Sequence, residues 1–401
     1  MPCTFSSIKR GARPAKGTTP IKGWSSLPDD LVVQVGDCLL ADNDIYSYMD
    51  FRAVCTSWRR PTKNITKPDR FEPSKWALLD RHDHVLRFVN VETGRFLVKS
   101  IPLLRKYLFI GATGGGMIIL KKSRSPHQVR VLNPFTGLIV RFKAALPTIA
   151  WVREATMVTS PMMLFIISNE AGKIMWADQE SEKFQEFRVD YRNRSLSITP
   201  FESKVYLSDH EGTIFSSTVA AAVTAEEHSS HRSAQTISMA STIRRPDAAG
   251  DPAWDCYLVK SGGELLLVTR PWYGVHGKPV VRRVDTESNK LELVTSIGNR
   301  ALFLSDVRCL SVEASKFQGV EGGCIYFVYP VTAAGNRQAS LMTIFRVADQ
   351  EQDDIIFDVA TMAGGSNQPF TLAQVFAIYS SSMYYSERAF NFLIKKIRTR
   401  L

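Results

Sequence analysis

Between Trp24 and Pro61 apolar residues recur at spacings of three and four, and from about Lys75 onward they come in short alternating runs cut by turn residues. The two periods predict helices first and strands after. In "WSSLPDDLVVQVGDCLL" Ser26 is placed to cap a helix, Pro28 suits its first turn, and Asp29 follows three residues after the cap, where the helix dipole favours it. Leu31, Val32, Val35, Cys38 and Leu39 make its predicted apolar face. Gly36 interrupts that helix at a cost of roughly 1 kcal/mol relative to Ala. After "ADND", where Asp42 or Asp44 supplies a cap, a second helix aligns Ile45, Tyr48, Phe51, Cys55 and Trp58 until Pro61 stops it. Cys55 then reads as a buried core thiol, and Arg52, Arg59 and Arg60 point into water. Two helices within about 40 residues bury too little apolar surface to stand alone, so a partner or a larger domain is expected to cover the rest.

The alternating runs read as hairpins: "HVLRFVN-VETG-RFLVKS", "YLFIGATGGGMIILKK", "VRVLNPFTGLIVRF", "MMLFIISNEAGKIMWAD", "KVYLSDHEGTIFSS", "CYLVKSGGELLLVTR", "VVRRVDTESNKLELV" and "CIYFVYP…ASLMTIFRVADQ". Recurrence over roughly 300 residues with Gly-rich turns favours a β-propeller over a single sandwich, with the blade number open. Residues 216–251 are Ala/Ser-rich and read as a long loop between blades. The expected organisation is a basic arm (1–23), a helical head (24–62), a β-propeller-like domain (75–385) and a basic tail (386–401). Within the tail Phe390, Phe392, Leu393 and Ile397 fit either a short amphipathic helix or a frayed end.

Charge changes this picture little. The chain carries +11, but residues 1–24 hold five cations and no acid, and 387–401 hold five cations and one acid. The body between them lacks the excess that a nucleic-acid groove needs, so nucleic-acid binding is not expected. Basic ends of this kind are solvated arms or import signals, which points to the nucleus or cytoplasm; an organelle transit peptide is the competing reading of the acid-free N-terminus. Six cysteines without a CxxC fit a reducing compartment. No run approaches the about 18–20 apolar residues of a membrane helix.

No catalytic constellation stands out. "GATGGG" (111–116) is followed by the strand-like "MIILKK", whereas a phosphate cradle needs a helix there, so a hairpin turn is expected. "RHDH" (81–84) and "HSSH" (228–231) lack the converging partners of a metal site. There is no GxSxG or HExxH, and "DQEQDD" (349–354) reads as a solvated loop. No cofactor, metal or catalytic residue is expected. "RPWYG" offers Arg270, Trp272 and Tyr273 as a weak substrate-recognition loop, with an ordinary packed loop equally in view.

The ordered elements of "LPDDLVVQV…DNDIYSYMDFRAVCTSWRR" resemble the F-box. That resemblance implies docking to a Skp-type adaptor, and through it a cullin, with Leu27, Pro28, Leu31, Val32, Val35, Ile45, Val54, Cys55 and Trp58 at the matching positions. Gly36 and Asp37 depart from the usual residues there. "LNPFTG" (132–137) and "IGNRALFLSDVRCLSVEASKFQGVEGGCIYF" (297–327) resemble domain of unknown function 295, the KIB-type propeller of plant F-box proteins. The C-terminus lacks that family's usual Trp/Pro closing strand. The implied protein is mainly β, a β-propeller-like C-terminal domain behind a small all-α F-box head. Its implied role is that of a non-catalytic receptor presenting an unknown protein substrate to a ubiquitin ligase. The alternative is a propeller scaffold whose head does not engage the adaptor.

Overall fold

The alternating runs fold into six sheets that follow one another in chain order, the blades of a β-propeller. The computed structural model describes residues 23–41, 45–62, 73–122, 127–146, 152–159, 162–168, 173–188, 196–209, 211–220, 236–244, 254–271, 278–333, 337–357 and 372–381. The basic arm, the "HSSH" stretch, Trp272, Tyr273 and the tail from 386 lie outside the described residues. The chain divides into two units, Met1–Phe71 and Glu72–Leu401.

Blade 1 is β1 (Trp76–His82), β2 (Val85–Asn90) and β3 (Phe96–Ser100), and blade 2 is β4 (Tyr107–Ala112), β5 (Ile118–Lys122), β6 (Gln128–Leu132) and β7 (Ile139–Ala145). Blade 3 comprises β8 (Val152–Thr159), β9 (Met162–Ser168), β10 (Lys173–Asp178) and β11 (Gln185–Arg188). Blade 4 comprises β12 (Ser197–Phe201), β13 (Lys204–Ser208), β14 (Ile214–Ala220) and β15 (Thr236–Ile243). Blade 5 is β16 (Trp254–Ser261), β17 (Glu264–Pro271), β18 (Val280–Asp285) and β19 (Lys290–Val294). Blade 6 holds five strands in the order β21-β20-β22-β23-β24, from β20 (Arg300–Leu304), β21 (Cys309–Glu313), β22 (Cys324–Ala333), β23 (Arg337–Arg346) and β24 (Glu351–Phe357). Every hairpin read from the alternation is an antiparallel pair here, whereas β20 and β22 run parallel, a pairing no local pattern announces.

The loop expected over 216–251 is corrected in part. Residues 214–220 and 236–243 pair as β14 and β15, from Ala220↔Thr236 to Ile214↔Ile243. The Ser/Ala composition hid a strand whose Thr and Ile residues still suit a pleated sheet. A helix was also missed: α4 (Leu372–Ser381; the fourth in chain order, after three in the head described below) packs Val375 and Phe376 into the core.

The apolar core is laid down between successive blades, not at the propeller axis. Ile119 and Val131 of blade 2 meet Leu164 and Ile166 of blade 3. Phe165 and Trp176 then meet Ile198 and Leu207, and Tyr206 meets Leu258 and Leu267. Val268 of blade 5 meets Leu302 and Phe327 of blade 6. The ring closes where Ala77, Leu79 and Val89 of blade 1 share a cluster with Phe303, Val312 and Tyr326 of blade 6. The Glu313 amide donates to Val91 O (2.9 Å) across the same junction.

Blades 1 and 2 are joined by the "NPFTG" turn. Asn133 Oδ1 accepts from the Phe135 and Thr136 amides (3.0 and 3.2 Å), and Gly137 takes the left-handed conformation (φ +77°) that closes the turn. The fixed loop drives Phe135 against Trp76 and Phe88, with ring centroids 5.2 and 5.1 Å away. Lys99 Nζ donates to Pro134 O and Phe135 O (3.0 and 3.3 Å), and burial holds its pKa below the ordinary lysine value. The same turn device recurs around the ring. Asn90, Asp178 and Asp285 each accept amides two and three residues on, and Asp209 accepts two and four residues on.

Candidate functional site

The head consists of α1 (Asp29–Ala41), α2 (Ile45–Ala53) and α3 (Thr56–Arg59). Ser26 does not cap α1. It ends a 3-10 turn over Trp24–Ser26 and donates to Gly23 O (2.8 Å), while the first helical bond runs from the Val32 amide to Pro28 O (3.1 Å). The second helix is shorter than expected. It breaks at Val54, and Cys55 is extended (φ −158°, ψ 168°) as the residue that starts α3. Cys55 is therefore half-buried at a helix junction and not part of a continuous apolar face. Spacing alone missed the break because Phe51, Cys55 and Trp58 keep a helical interval across it.

The buried positions of α1 are Val32, Gly36 and Leu40, and those of α2 are Ile45 and Tyr48. Gly36 has a packing role: a Cβ there would lie 3.2 Å from Tyr48 Cε2 and 3.3 Å from Thr62 Cγ2. The missing side chain admits the Tyr48 ring, whose hydroxyl donates to Thr62 O (2.6 Å). Trp58 is half-buried, stacks on Phe51 (4.6 Å between centroids) and donates from Nε1 to Trp24 O (3.1 Å). Arg52 is also half-buried, its guanidinium 5.8 Å from the Tyr48 ring centre, whereas Arg59 and Arg60 are exposed.

These placements sort the motif residues. Val32 and Ile45 are turned inward, and Trp58 braces the fold. Pro28 and Val54 are exposed and Leu27 is half-buried. Leu31 and Val35 remain 41% and 43% exposed, one helical turn apart, with exposed Cys38 continuing the same stripe. A folded helix that keeps an apolar stripe in water beside a filled interior has a surface suited to a protein partner.

In the propeller, Arg270 offers a partner no surface. It is 6% exposed, with Nε 3.9 Å from Asp255 Oδ2 and its guanidinium over the Phe327 ring at 4.8 Å. The reading of Arg270 as a recognition residue is thus corrected, because it lies within β17, paired with Asp255 of β16, and its side chain is buried. "GATGGG" is the β4–β5 turn, as expected, closed by the Thr113 amide on Met117 O (2.9 Å). "RHDH" ends β1 and turns into β2, with Asp83 in contact with His84 and Arg105.

Sequence reading missed the axial channel. The successive inner strands β4, β8, β12, β16 and β21 neighbour one another, and all six blades line a cavity of about 540 Å³. At one end Glu154, Ser197 and Cys309 converge from three blades. Cys309 Sγ lies 3.8 Å from Ser197 Oγ, which donates to Leu258 O (3.1 Å). Burial, with Glu154 beside it, pushes the Cys309 thiol up to about 12, so it stays protonated. At the other end Arg300 is bound to Glu92 (2.7 Å) and to Ser311, and Lys260 is exposed. No sequence signal joins residues so far apart in the chain.

Burial raises the Glu154 carboxyl to about 7, against the downward pull of Arg153 and Arg308. The folded protein then binds this proton more tightly than the unfolded chain. The associated stability is fully present below the unfolded value of 4.5 and is lost as pH rises through about 7. Glu154→Gln is expected to raise stability at pH 8 by about 1–3 kcal/mol and to change it little at pH 4, read by thermal unfolding at both pH values.

Residues 88–358, about two thirds of the chain, match the model of the KIB1-4 beta-propeller family. An Arabidopsis thaliana chain named as an F-box protein is 23% identical over 345 residues, covering 76% of this chain and 88% of that protein. Among solved structures the chain is similar to the WD40 domain of SCAP from fission yeast (11% identity, TM-score 0.30, 72% of this chain and 61% of that one). It is also similar to a protein of unknown function from Bacteroides caccae (11% identity, TM-score 0.28, 68% and 82%). Scores at this level add nothing to the family match.

Proposed function

Given that the chain belongs to the KIB1-4 beta-propeller family, we propose that it is the substrate receptor of a Skp–cullin–F-box ubiquitin ligase. The observation that carries this reading is the Leu31–Val35 stripe, exposed on a helical head whose interior is already filled by Val32, Ile45 and Tyr48. The Arabidopsis relative named as an F-box protein supports it. In this role the head docks the adaptor and the propeller presents a protein target. The receptor itself forms and breaks no bond. It raises the concentration of target lysines near a ubiquitin-loaded enzyme carried elsewhere in the assembly.

Calorimetric titration of the full chain with a purified Skp-type adaptor tests the reading. One-to-one binding with a negative heat-capacity change, the mark of apolar burial, is the expected result. A folded chain that gives no binding heat across several temperatures would remove the ligase assignment and put the scaffold reading in its place.

A further inference from the structure

The body between the two basic ends is near neutral in total but uneven along the chain. From Thr93 to Arg153 there are eleven lysines and arginines and no aspartate or glutamate; all 39 acids lie elsewhere. This segment builds β3, a 3-10 turn over Pro102–Lys106 and the whole of blade 2. Pairing register gathers part of its charge on one face. Leu120, Arg130 and Arg141 stand opposite one another across β5, β6 and β7, and Lys122 follows Leu120 by two residues onto the same side. Phe109 also pairs with Leu120, and the Arg81 guanidinium of blade 1 lies over the Phe109 ring at 4.8 Å, so this face looks toward blade 1.

Arg130 is 8% exposed and donates to Val129 O, Phe142 O and Gln128 Oε1 (2.8, 3.3 and 3.1 Å), none of them charged. Burial holds its pKa below the ordinary arginine value, and the Arg141 charge pushes the same way. Lys106 and Arg141 are exposed and Lys122 is half-buried; none of the three has a carboxylate partner among the described residues. Lys106 adjoins Tyr107, which pairs with Lys122. A buried cation without an internal acid, flanked by cations open to water, leaves a face that attracts negative charge.

We propose that this face of blade 2 docks an extended protein segment rich in aspartate and glutamate. Its carboxylates meet Lys106, Lys122 and Arg141, the last in the bidentate geometry a guanidinium offers. Strand spacing puts Lys122 and Arg141 roughly 12 Å apart, the span of about four extended residues. Nucleic acid fits less well, because its affinity grows with the number of phosphates neutralised and this patch is short. On its far side Glu180 of blade 3 already takes Lys143 (2.7 Å), with Glu182 close by. The inference rests on the receptor reading only in calling the bound segment part of a ligase target.

Fluorescence anisotropy of the full chain, titrated against a labelled twelve-residue Asp/Glu peptide, is the test. Saturable binding is expected, tighter by about tenfold or more than for the Asn/Gln peptide of the same length. Lys122→Glu combined with Arg141→Glu weakens it by about tenfold or more with an unchanged unfolding temperature. Lys106→Glu, at an exposed position, gives a smaller loss in the same direction. Lys9→Glu combined with Lys16→Glu, an equal change of charge in the basic arm, leaves binding in place. Three results overturn the proposal: no saturable binding, equal loss in the blade and arm variants, or a single-stranded oligodeoxynucleotide of the same length binding as tightly as the acidic peptide. Calorimetric titration of the same preparations with the Skp-type adaptor keeps the two readings apart. Adaptor binding that persists where peptide binding fails removes this inference alone.

Discussion

Replacing Leu31 and Val35 together by aspartate is expected to weaken adaptor binding by at least about a hundredfold while the head unfolds at the same temperature. The two side chains are about two fifths exposed, so folding loses less when they go than it would at buried Val32. Binding loses more: each apolar side chain fully covered at an interface contributes about 1.5–3 kcal/mol, and an aspartate buried without a partner adds a desolvation cost. Trp58→Ala is a poorer probe, because Trp58 stacks on Phe51 and bonds to Trp24 O, and its loss unsettles the head before any partner arrives. Arg60→Ala is a suitable control. Its ion pair with Asp29 (3.3 Å) is exposed on both sides, and such pairs contribute about 0–1 kcal/mol. Titration calorimetry and circular-dichroism melting read the two effects separately. Loss of affinity accompanied by an equal loss of helix would contradict the argument.

The largest stability effect is expected from Phe135→Ala, at about 3–5 kcal/mol. The ring is 9% exposed and fills the space between Trp76 and Phe88, so truncation opens a cavity between blades 1 and 2. The turn that presents it is fixed by Asn133 and by Lys99, so the backbone cannot easily move to fill the gap. Asn133→Ala removes only the turn bonds and should cost about 1 kcal/mol. Equilibrium urea unfolding orders the two variants. A Phe135→Ala loss below about 1 kcal/mol would mean that the loop merely rests on the blade.

How far the sequence could be read depended on whether a local pattern carried the information. Strand pairs such as Val281↔Val294 or Leu207↔Phe215 follow alternation and a turn, and both were legible. Of the inner strands, β4 and β16 were legible in the same way, but β8 and β12 were not. "VREATMVT" and "SITPF" place polar residues toward the channel where alternation would ask for apolar ones, so β8 and β12 passed unnoticed. The parallel pairing of β20 with β22 spans "SDVRCLSVEASKFQGVEGG" and depends on tertiary closure. The recurring turn was visible as Asn or Asp with Ser or Thr three residues on, as in "NVET", "NPFT", "DQES" and "DTES", and would have fixed the blade register. In the head the motif residues were identified but their facing was not. Gly36 shifts the buried stripe of α1 to Val32 and Leu40, which turns Leu31 and Val35 outward. A helical wheel cannot show that, because it counts glycine as a weakness instead of a seat for Tyr48.

Amide hydrogen exchange of the full chain, with and without a Skp-type adaptor, tests the central claim most directly because it reports where binding falls. The account predicts added protection within 29–41 and 45–59, strongest in the turns of α1 that carry Leu31 and Val35, with the exchange of the propeller strands unchanged. Protection confined to the propeller, or none anywhere in a chain that remains folded, would contradict it.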